Sequence, residues 1–404
     1  MLTLDEAQSI VLSNVSALPA EPAGLVDALG RVLTTPVTAQ VPLPPFDNSA
    51  MDGYAVVAED TRGATPGSPR LLQIIDDIAA GVVPERTVAP GTAARIMTGA
   101  MMPPGADAVV IVEHTRPGAP GAVEVFVPVK PGDNVRPAGE DIERGQEALS
   151  PGQVMGPGEL ALAAALGYVT VDVVRRPRVA IVTTGSELVE PGRELRTGAI
   201  YNSNQTLLSC RVLAAGAAVG ERLHVEDDER AVEDALARCA EADMILTTGG
   251  VSVGEYDFVK AALERLGEMK FWQVRIKPGK PVAFGTVNGR PLFGLPGNPV
   301  SAMVTFELLV APALRKMSGR TQCLPPTVQA TLASGVSHKP GRREYRQAVT
   351  RSEGRGYVTD PSPKRGSAML TSTVGANSLV VIPEESEGLK SGEQGTVIYP
   401  ANGM

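Results

Sequence analysis

Cysteine and histidine are scarce: the 404-residue chain has three of each. Cys210, Cys239 and Cys323 lie far apart without CxxC spacing, which excludes a disulfide framework, argues against structural zinc and suits a reducing, cytoplasmic setting. With so few imidazoles, carboxylates, lysines and backbone amides are left to carry any chemistry. Long apolar runs are missing as well. The longest, residues 160 to 171, is broken by Gly167 and falls short of the ~20 residues of a membrane helix, so no membrane association is expected. The first ten residues carry acidic side chains rather than a basic segment leading into an apolar one, so no secretion signal is expected. Positive charge is not in excess either. A net charge of −8 disfavours nucleic acid as a partner, and an anionic ligand has to be held by local features.

What is present is glycine and proline, 43 and 34 residues, which indicates many turns and short strands. The length predicts about two to four domains. Thr3 can cap a helix over residues 4–12, and residues 25–33 repeat apolar side chains at helical spacing. Short punctuated apolar runs at 106–112 and 122–129 predict a small β domain over 46–138. Helical pattern returns over 157–166, with Pro early and Gly167 behind it, so segments 1–45 and 139–175 are expected to form one discontinuous helical domain. From 176 to 324, strands at 179–183, 221–225 and 244–248 alternate with helices at 204–215, 229–240 and 256–266. Such alternation predicts a parallel sheet with helices on both faces. Residues 325–404 lack long helical periodicity and are expected to form a second β domain of antiparallel strands.

The segment Met244-Ile-Leu-Thr-Thr-Gly-Gly-Val-Ser-Val-Gly-Glu-Tyr-Asp257 runs from an apolar strand through a glycine-rich loop into a helix. Gly249 and Gly250, with the hydroxyls of Thr248 and Ser252, can cradle a phosphate at a helix start. Glu255 and Asp257 would repel a bare phosphate, a conflict that Mg²⁺ resolves by bridging carboxylate and phosphate oxygens. The loop alone supports an equally simple reading, a turn with Glu and Asp placed to favour the helix dipole. Two more loops stand at comparable points: Val182-Thr-Thr-Gly-Ser-Glu187, which contains Thr184 and Gly185, and Phe293-Gly-Leu-Pro-Gly-Asn-Pro299 before a helix over 300–317. In the latter, Pro296 and Pro299 fix the backbone around Gly297 and Asn298, while Gly297 permits an unusual backbone angle. Three such loops on one crevice point to a ligand site at the carboxyl ends of the strands. Between them, Ile276-Lys-Pro-Gly-Lys-Pro281 places Lys277 and Lys280 about a tight turn; alone it is a hairpin tip, beside these loops a means of anion capture. Asp52-Gly53 reads by itself as a turn, Thr98-Gly99 as a strand cap, and residues 135–141 as a charged linker.

In order along the chain, Pro45-Phe-Asp-Asn-Ser-Ala-Met-Asp-Gly-Tyr54, Ile96-Met-Thr-Gly99, residues 136–141, Thr184-Gly-Ser-Glu187, residues 248–257, residues 277–281 and Leu295-Pro-Gly-Asn-Pro299 resemble the MoeA family, the molybdopterin molybdenumtransferases that include gephyrin-like E domains. The resemblance implies an α/β and β multidomain chain whose MogA-like domain binds the pterin, in a homodimer whose active site is completed by the partner's β domain. It implies insertion of molybdenum from molybdate into adenylylated molybdopterin, with Mg²⁺-dependent hydrolysis that releases AMP. By matching position, Glu187, Asp227 and Asp257 would hold Mg²⁺, with Asp52 and Asp141 approaching from the other subunit as further catalytic carboxylates. Lys277, Lys280, Ser301, Arg346 and Ser367 would form the molybdate pocket. Thr98, Gly249, Gly250 and Ser252 would meet substrate phosphates or the pterin. Asp228 competes with Asp227 as a cap for the helix starting near Glu229. Transient contact with the adenylyltransferase and with recipient molybdoenzymes is also implied. The nearest rival reading is a molybdopterin adenylyltransferase, which shares the α/β fold; the flanking domains and the Met51-Asp-Gly-Tyr54 string favour the later step. A scaffold role, as in gephyrin, lacks a fused domain or long linker to support it.

Overall fold

The computed structural model describes residues 1–249, 258–364 and 366–399, and the chain divides into two compact units. One comprises Ala23–Leu29 and Thr35–Val171; the other comprises Met1–Pro22, Gly30–Thr34 and Asp172–Met404.

The first unit is built on a six-stranded sheet in the order Ala108–Ile111, Gly53–Val56, Thr92–Ile96, Arg70–Ile78, Ala122–Val125, Thr115–Pro117. Neighbours are antiparallel except Arg70–Ile78 with Thr92–Ile96. Successive residues face opposite sides, so Ala55 and Val56 enter separate buried clusters. Gly53 opens a strand rather than sitting in a turn, and a Cβ there would meet the Val110 carbonyl oxygen at 2.0 Å. Segments 1–45 and 139–175 meet here through the short ladder of Val37–Thr38 with Glu147–Leu149. The helix Pro157–Ala165 forms as expected, with the Glu159 carboxylate accepting from Gly156 N–H at 3.0 Å. The helix expected over 25–33 does not form. Strand Ala20–Gly24 and a single 3₁₀ turn, Val26–Ala28, stand there, and Gly30 adopts φ +75°. The few residues between Gly24 and Gly30 cannot repay helix nucleation, so apolar spacing misleads.

In the second unit, Thr3 caps the helix Leu4–Ser13 with a reciprocal Thr3–Glu6 pair. Leu4, Ala7 and Val11 share a core with the sheet Ala218–Val225, Arg178–Thr184, Met244–Thr248, Arg290–Leu295, Pro281–Val287, Gly267–Gln273. Both sheet faces are covered: Val179 and Ile181 enter one cluster, Ala180 and Val182 the other, which explains the uninterrupted apolar run. The first four strands are parallel, as the alternation predicts; the remaining two turn the sheet mixed. The cause is the two-residue turn Asn288-Gly289, φ +51° and +75°, which folds Pro281–Val287 back on Arg290–Leu295. Residues 325–399 form a closed ring of five strands, Arg343–Glu353, Gly356–Pro361, Thr327–Leu332, Gln394–Ile398 and Ser378–Ile382. This barrel is mixed rather than purely antiparallel, because Thr327–Leu332 and Gly356–Pro361 run parallel. Strand Ile276–Lys277 of the α/β region pairs with Arg343 and Glu344 of the barrel. Among the described residues no helix is long and apolar enough to cross a membrane.

The helical run Pro299–Thr305, Phe306–Val310 and Ala311–Met317 buries Glu307 at 1% exposure, paired with Arg211 and, at 3.5 Å, with Arg315. Removing one partner of a buried pair strands the other charge, whereas replacing both with apolar groups avoids that cost. Arg315 still faces Glu307 when Arg211 is lost, so Arg211→Met is expected to lower unfolding free energy by about 1–3 kcal/mol, and adding Glu307→Leu to recover part of it, as read by urea denaturation.

Candidate functional site

Three parallel neighbours, Arg178–Thr184, Met244–Thr248 and Arg290–Leu295, end side by side, so the loops that follow them share one edge of the sheet. Thr184 is buried with its hydroxyl unpartnered among the described residues. A Cβ on Gly249, at φ +94°, would lie 2.3 Å from the Thr184 carbonyl oxygen, so only glycine lets these loops approach so closely. Gly297 is different: its φ is not positive, and a Cβ would find ordinary contact 3.7 Å from Gly249. The expected unusual angle is absent; Pro299 at the helix start fixes the entry, and exposed Asn298 gives no side-chain cap. Asn204, which sequence reasoning missed, ties the loops together. Its amide donates to Thr248 Oγ1 at 3.0 Å and to the Gly297 carbonyl at 2.7 Å, while Thr248 Oγ1 donates to the Pro296 carbonyl at 3.0 Å.

The acidic residues separate into two roles. Asp228 Oδ1 accepts from Ala231 N–H at 2.9 Å and caps the helix Glu229–Arg238. That leaves Asp227, whose Oδ2 accepts from Ser186 N–H at 3.4 Å. Glu187, the next residue, is exposed like Asp227, and its carboxylate folds back so that a Cβ on Gly185 would stand 2.7 Å from Oε2. Among the described residues no group of three or more His, Cys, Asp or Glu side chains could hold a metal ion. Gly250, Ser252 and Asp257 lie outside the described residues.

Beside these loops opens a cavity of about 690 Å³. Its wall includes Lys277, Lys280, Pro296, Asn298, Ser301, Arg346 and Ser367 of the expected set, brought together from four separate stretches of chain. Sequence reasoning missed Lys339, Arg342 and Lys364, which among the described residues raise the wall to six cationic side chains against one carboxylate, Glu344. In a chain of net charge −8 this is a local basic concavity suited to an anion. The Lys277–Lys280 turn is held by shape: Gly279 has φ +105°, and a Cβ there would meet Thr305 Cγ2 at 2.5 Å. Ser301 is buried on the adjoining helix, whose Val300 N–H donates to the Ser367 carbonyl at 3.1 Å.

Lys277 and Arg346 are not free cations. Glu344 Oε2 accepts from Lys277 Nζ at 2.8 Å and from His338 Nδ1 at 2.8 Å; Oε1 accepts from Arg346 Nε at 3.1 Å and from its Nη2. Burial alone would raise the Glu344 pKa, but the hydrogen bonds from Lys277, Arg346 and His338 outweigh it and bring it down to about 2. Lys280 has no side-chain partner among the described residues. Asp52, Asp141 and Thr98 belong to the N-terminal unit rather than to this cavity. There Asp52 Oδ1 accepts from Thr98 N–H at 2.7 Å and from its hydroxyl at 2.8 Å, which holds the carboxyl below its usual pKa. Asp141 is exposed, its backbone N–H donating to Leu43 at 2.9 Å.

Comparison with known proteins covers the whole of this arrangement. The chain matches the models described as MoeA N-terminal region (domain I and II) over residues 2–167, probable molybdopterin binding domain over 180–316, and MoeA C-terminal region (domain IV) over 329–399. It is 41% identical over 401 residues to molybdopterin molybdenumtransferase 2 of Mycobacterium tuberculosis, covering 98% of each chain. It is 36% identical over 409 residues to the molybdopterin molybdenumtransferase of Haemophilus influenzae, again covering 98% of each. A crystal structure of the molybdopterin biosynthesis MoeA protein from Pyrococcus horikoshii is 33% identical and superposes with a TM-score of 0.82 over 99% of both chains.

Two outcomes follow from the cavity's construction. Gly279→Ala puts a side chain where neither the backbone angle nor Thr305 has room, and is expected to cost about 1–3 kcal/mol in a thermal or urea unfolding experiment. Glu344 has a folded pKa below its unfolded one, so its contribution is present above about pH 4.5 and is lost as pH falls toward 2. It amounts to about 3 kcal/mol. The stability gap between the native chain and Glu344→Gln should accordingly narrow between pH 6 and pH 2.5; a gap independent of pH would contradict the assignment.

Proposed function

The chain belongs to the MoeA family, and from that membership we propose that it inserts molybdenum from molybdate into adenylylated molybdopterin and hydrolyses the phosphoanhydride link, releasing AMP. It is a transferase of molybdenum cofactor biosynthesis. The observation that carries the finer reading is the basic cavity in which Lys277, Lys280, Ser301, Arg346 and Ser367 converge beside the strand-end loops. A tetrahedral dianion suits it: Lys280 offers an ammonium unpaired among the described residues, the serines offer hydroxyl donors, and Lys277 and Arg346 keep N–H groups beyond those bound by Glu344.

Thr184, Gly185, Gly249 and the turn Pro296-Gly297-Asn298-Pro299, with Gly250 and Ser252, are proposed to receive the pterin and its phosphates, at the position where open α/β sheets take ligands. The Thr184 hydroxyl, unpartnered among the described residues, favours a polar ligand there. Mg²⁺ is proposed at Glu187, Asp227 and Asp257. Glu187 and Asp227 fit in kind, being exposed carboxylates without an ion-pair partner among the described residues. A bound Mg²⁺ would supply neutralisation of phosphoanhydride charge. Asp52, Asp141 and Thr98 are proposed to complete the site from a second copy in a homodimer. Asp52, kept ionised by Thr98, is suited to orienting a water molecule for attack on the phosphoanhydride. Transient contact with an adenylyltransferase upstream and with molybdoenzymes downstream, in the cytoplasm, completes the proposal.

Purified protein incubated with adenylylated molybdopterin, Mg²⁺ and molybdate should release AMP only when molybdate is present; consumption of ATP would instead indicate the adenylylating step. Asp257→Asn should abolish molybdate-dependent AMP release while remaining folded, and full activity would remove Asp257 from the mechanism. Lys280→Ala should raise the molybdate concentration required by roughly tenfold, the loss of one charge-assisted contact. An unchanged requirement would count against the cavity.

A further inference from the structure

Among the described residues of the cavity wall, Glu344 stands apart as a lone carboxylate among six cations. It is 5% exposed, and its carboxylate accepts hydrogen bonds from groups of the cavity wall: Lys277 and His338 on one oxygen, Arg346 on the other. Its position follows from the fold. Strand Ile276–Lys277 pairs in register with Arg343 and Glu344, which puts Lys277 directly opposite the carboxylate; Arg346 lies two residues along the same strand, on the same face. A wall built only to grip an anion would leave Lys277 and Arg346 unopposed, yet both are committed to this one carboxylate.

The buried charge has two effects on a doubly negative guest. It fixes where the two cations stand, and its own field subtracts from their attraction. At an effective dielectric of about 20, one fixed charge several ångströms from a dianion changes affinity by at least roughly tenfold. We propose that Glu344 is a positioning residue that sets how tightly the cavity holds a tetrahedral oxyanion, aligning Lys277 and Arg346 while weakening their combined grip so that the oxyanion can move on to the pterin. A substrate that must leave its first site needs a hold of limited strength, since binding the ground state more tightly does not speed its conversion. This inference rests on the proposed function.

The test is calorimetric titration of the full chain with sodium molybdate, alongside steady-state AMP release. Glu344→Gln keeps the shape and an acceptor but removes the charge. Molybdate should bind about tenfold more tightly, with a lower KM for molybdate and a lower kcat. A residue with only a structural role would loosen binding when replaced, so unchanged or weaker affinity in folded Glu344→Gln overturns the proposal. Glu344→Asp retains the charge and should show no tightening; tightening equal to that of Glu344→Gln would also overturn it. Should Glu344→Gln fail to fold, the double variant Lys277→Gln/Glu344→Gln removes the pair at constant net charge. It should stay within about threefold of the native affinity while Lys277→Gln alone loses at least about tenfold; equal losses in both overturn the proposal. Lys280→Ala separates the two levels. If the native chain binds molybdate and Lys280→Ala binds it equally well, the anion lies elsewhere and both the cavity reading and this inference fall. If Lys280→Ala weakens binding but Glu344→Gln does not tighten it, this inference alone falls.

Discussion

The pairing of Lys277 and Arg346 with the Glu344 carboxylate is the interaction on which the rest of the cavity depends. It joins a turn of the α/β region to a strand of the C-terminal barrel, and it does so at the wall of the basic cavity. An acidic chain can hold an oxyanion only where cations are concentrated against one another, and like charges so placed need an internal counter-ion. Glu344 fills that role, and the strand register between Ile276–Lys277 and Arg343–Glu344 puts it in reach.

From this constraint the arrangement of the loops becomes intelligible. The three strand-end loops lie on adjacent parallel strands, and close approach at Gly249 brings two of them together. Asn204 then binds the second loop to the third through one amide. The Lys277–Lys280 turn closes on the same helix whose first turn carries Ser301, because Gly279 allows Thr305 to approach. The strand-end loops and the basic cavity thus stand beside each other in one unit, a layout that suits the proposed passage of an oxyanion to a phosphate-bearing ligand.

Much of this was legible in the sequence because its signals are local. Glycine and proline mark the loops at 184–187, 248–250, 277–281 and 295–299, and continuous apolar runs mark the buried parallel strands. Thr3 announced the first helix, and Asn288-Gly289 is a hairpin signal that reading for a wholly parallel sheet passed over. What was hidden is long-range. Lys277 and Glu344 are 67 residues apart, so nothing in either neighbourhood reveals that the lysine is already paired. Arg346 entered through the family resemblance alone; its partner Glu344 is two residues away, but only the strand Arg343–Glu353 shows that the two side chains share a face. The segment 25–33 failed for the opposite reason: its periodicity is helical, but Gly24 before it and Gly30 within it leave too few residues to nucleate. Asp227 and Asp228 are indistinguishable by type, and only the hydrogen bond to Ala231 N–H identifies the second as the cap.

The central claim is that the basic cavity beside the strand-end loops receives the oxyanion. Crystals soaked in molybdate and measured at the molybdenum absorption edge test it most directly. The account predicts an anomalous peak within hydrogen-bonding reach of Lys280, Ser301 and Ser367. A peak over Glu187 and Asp227, or none in the cavity at saturating molybdate, would contradict it.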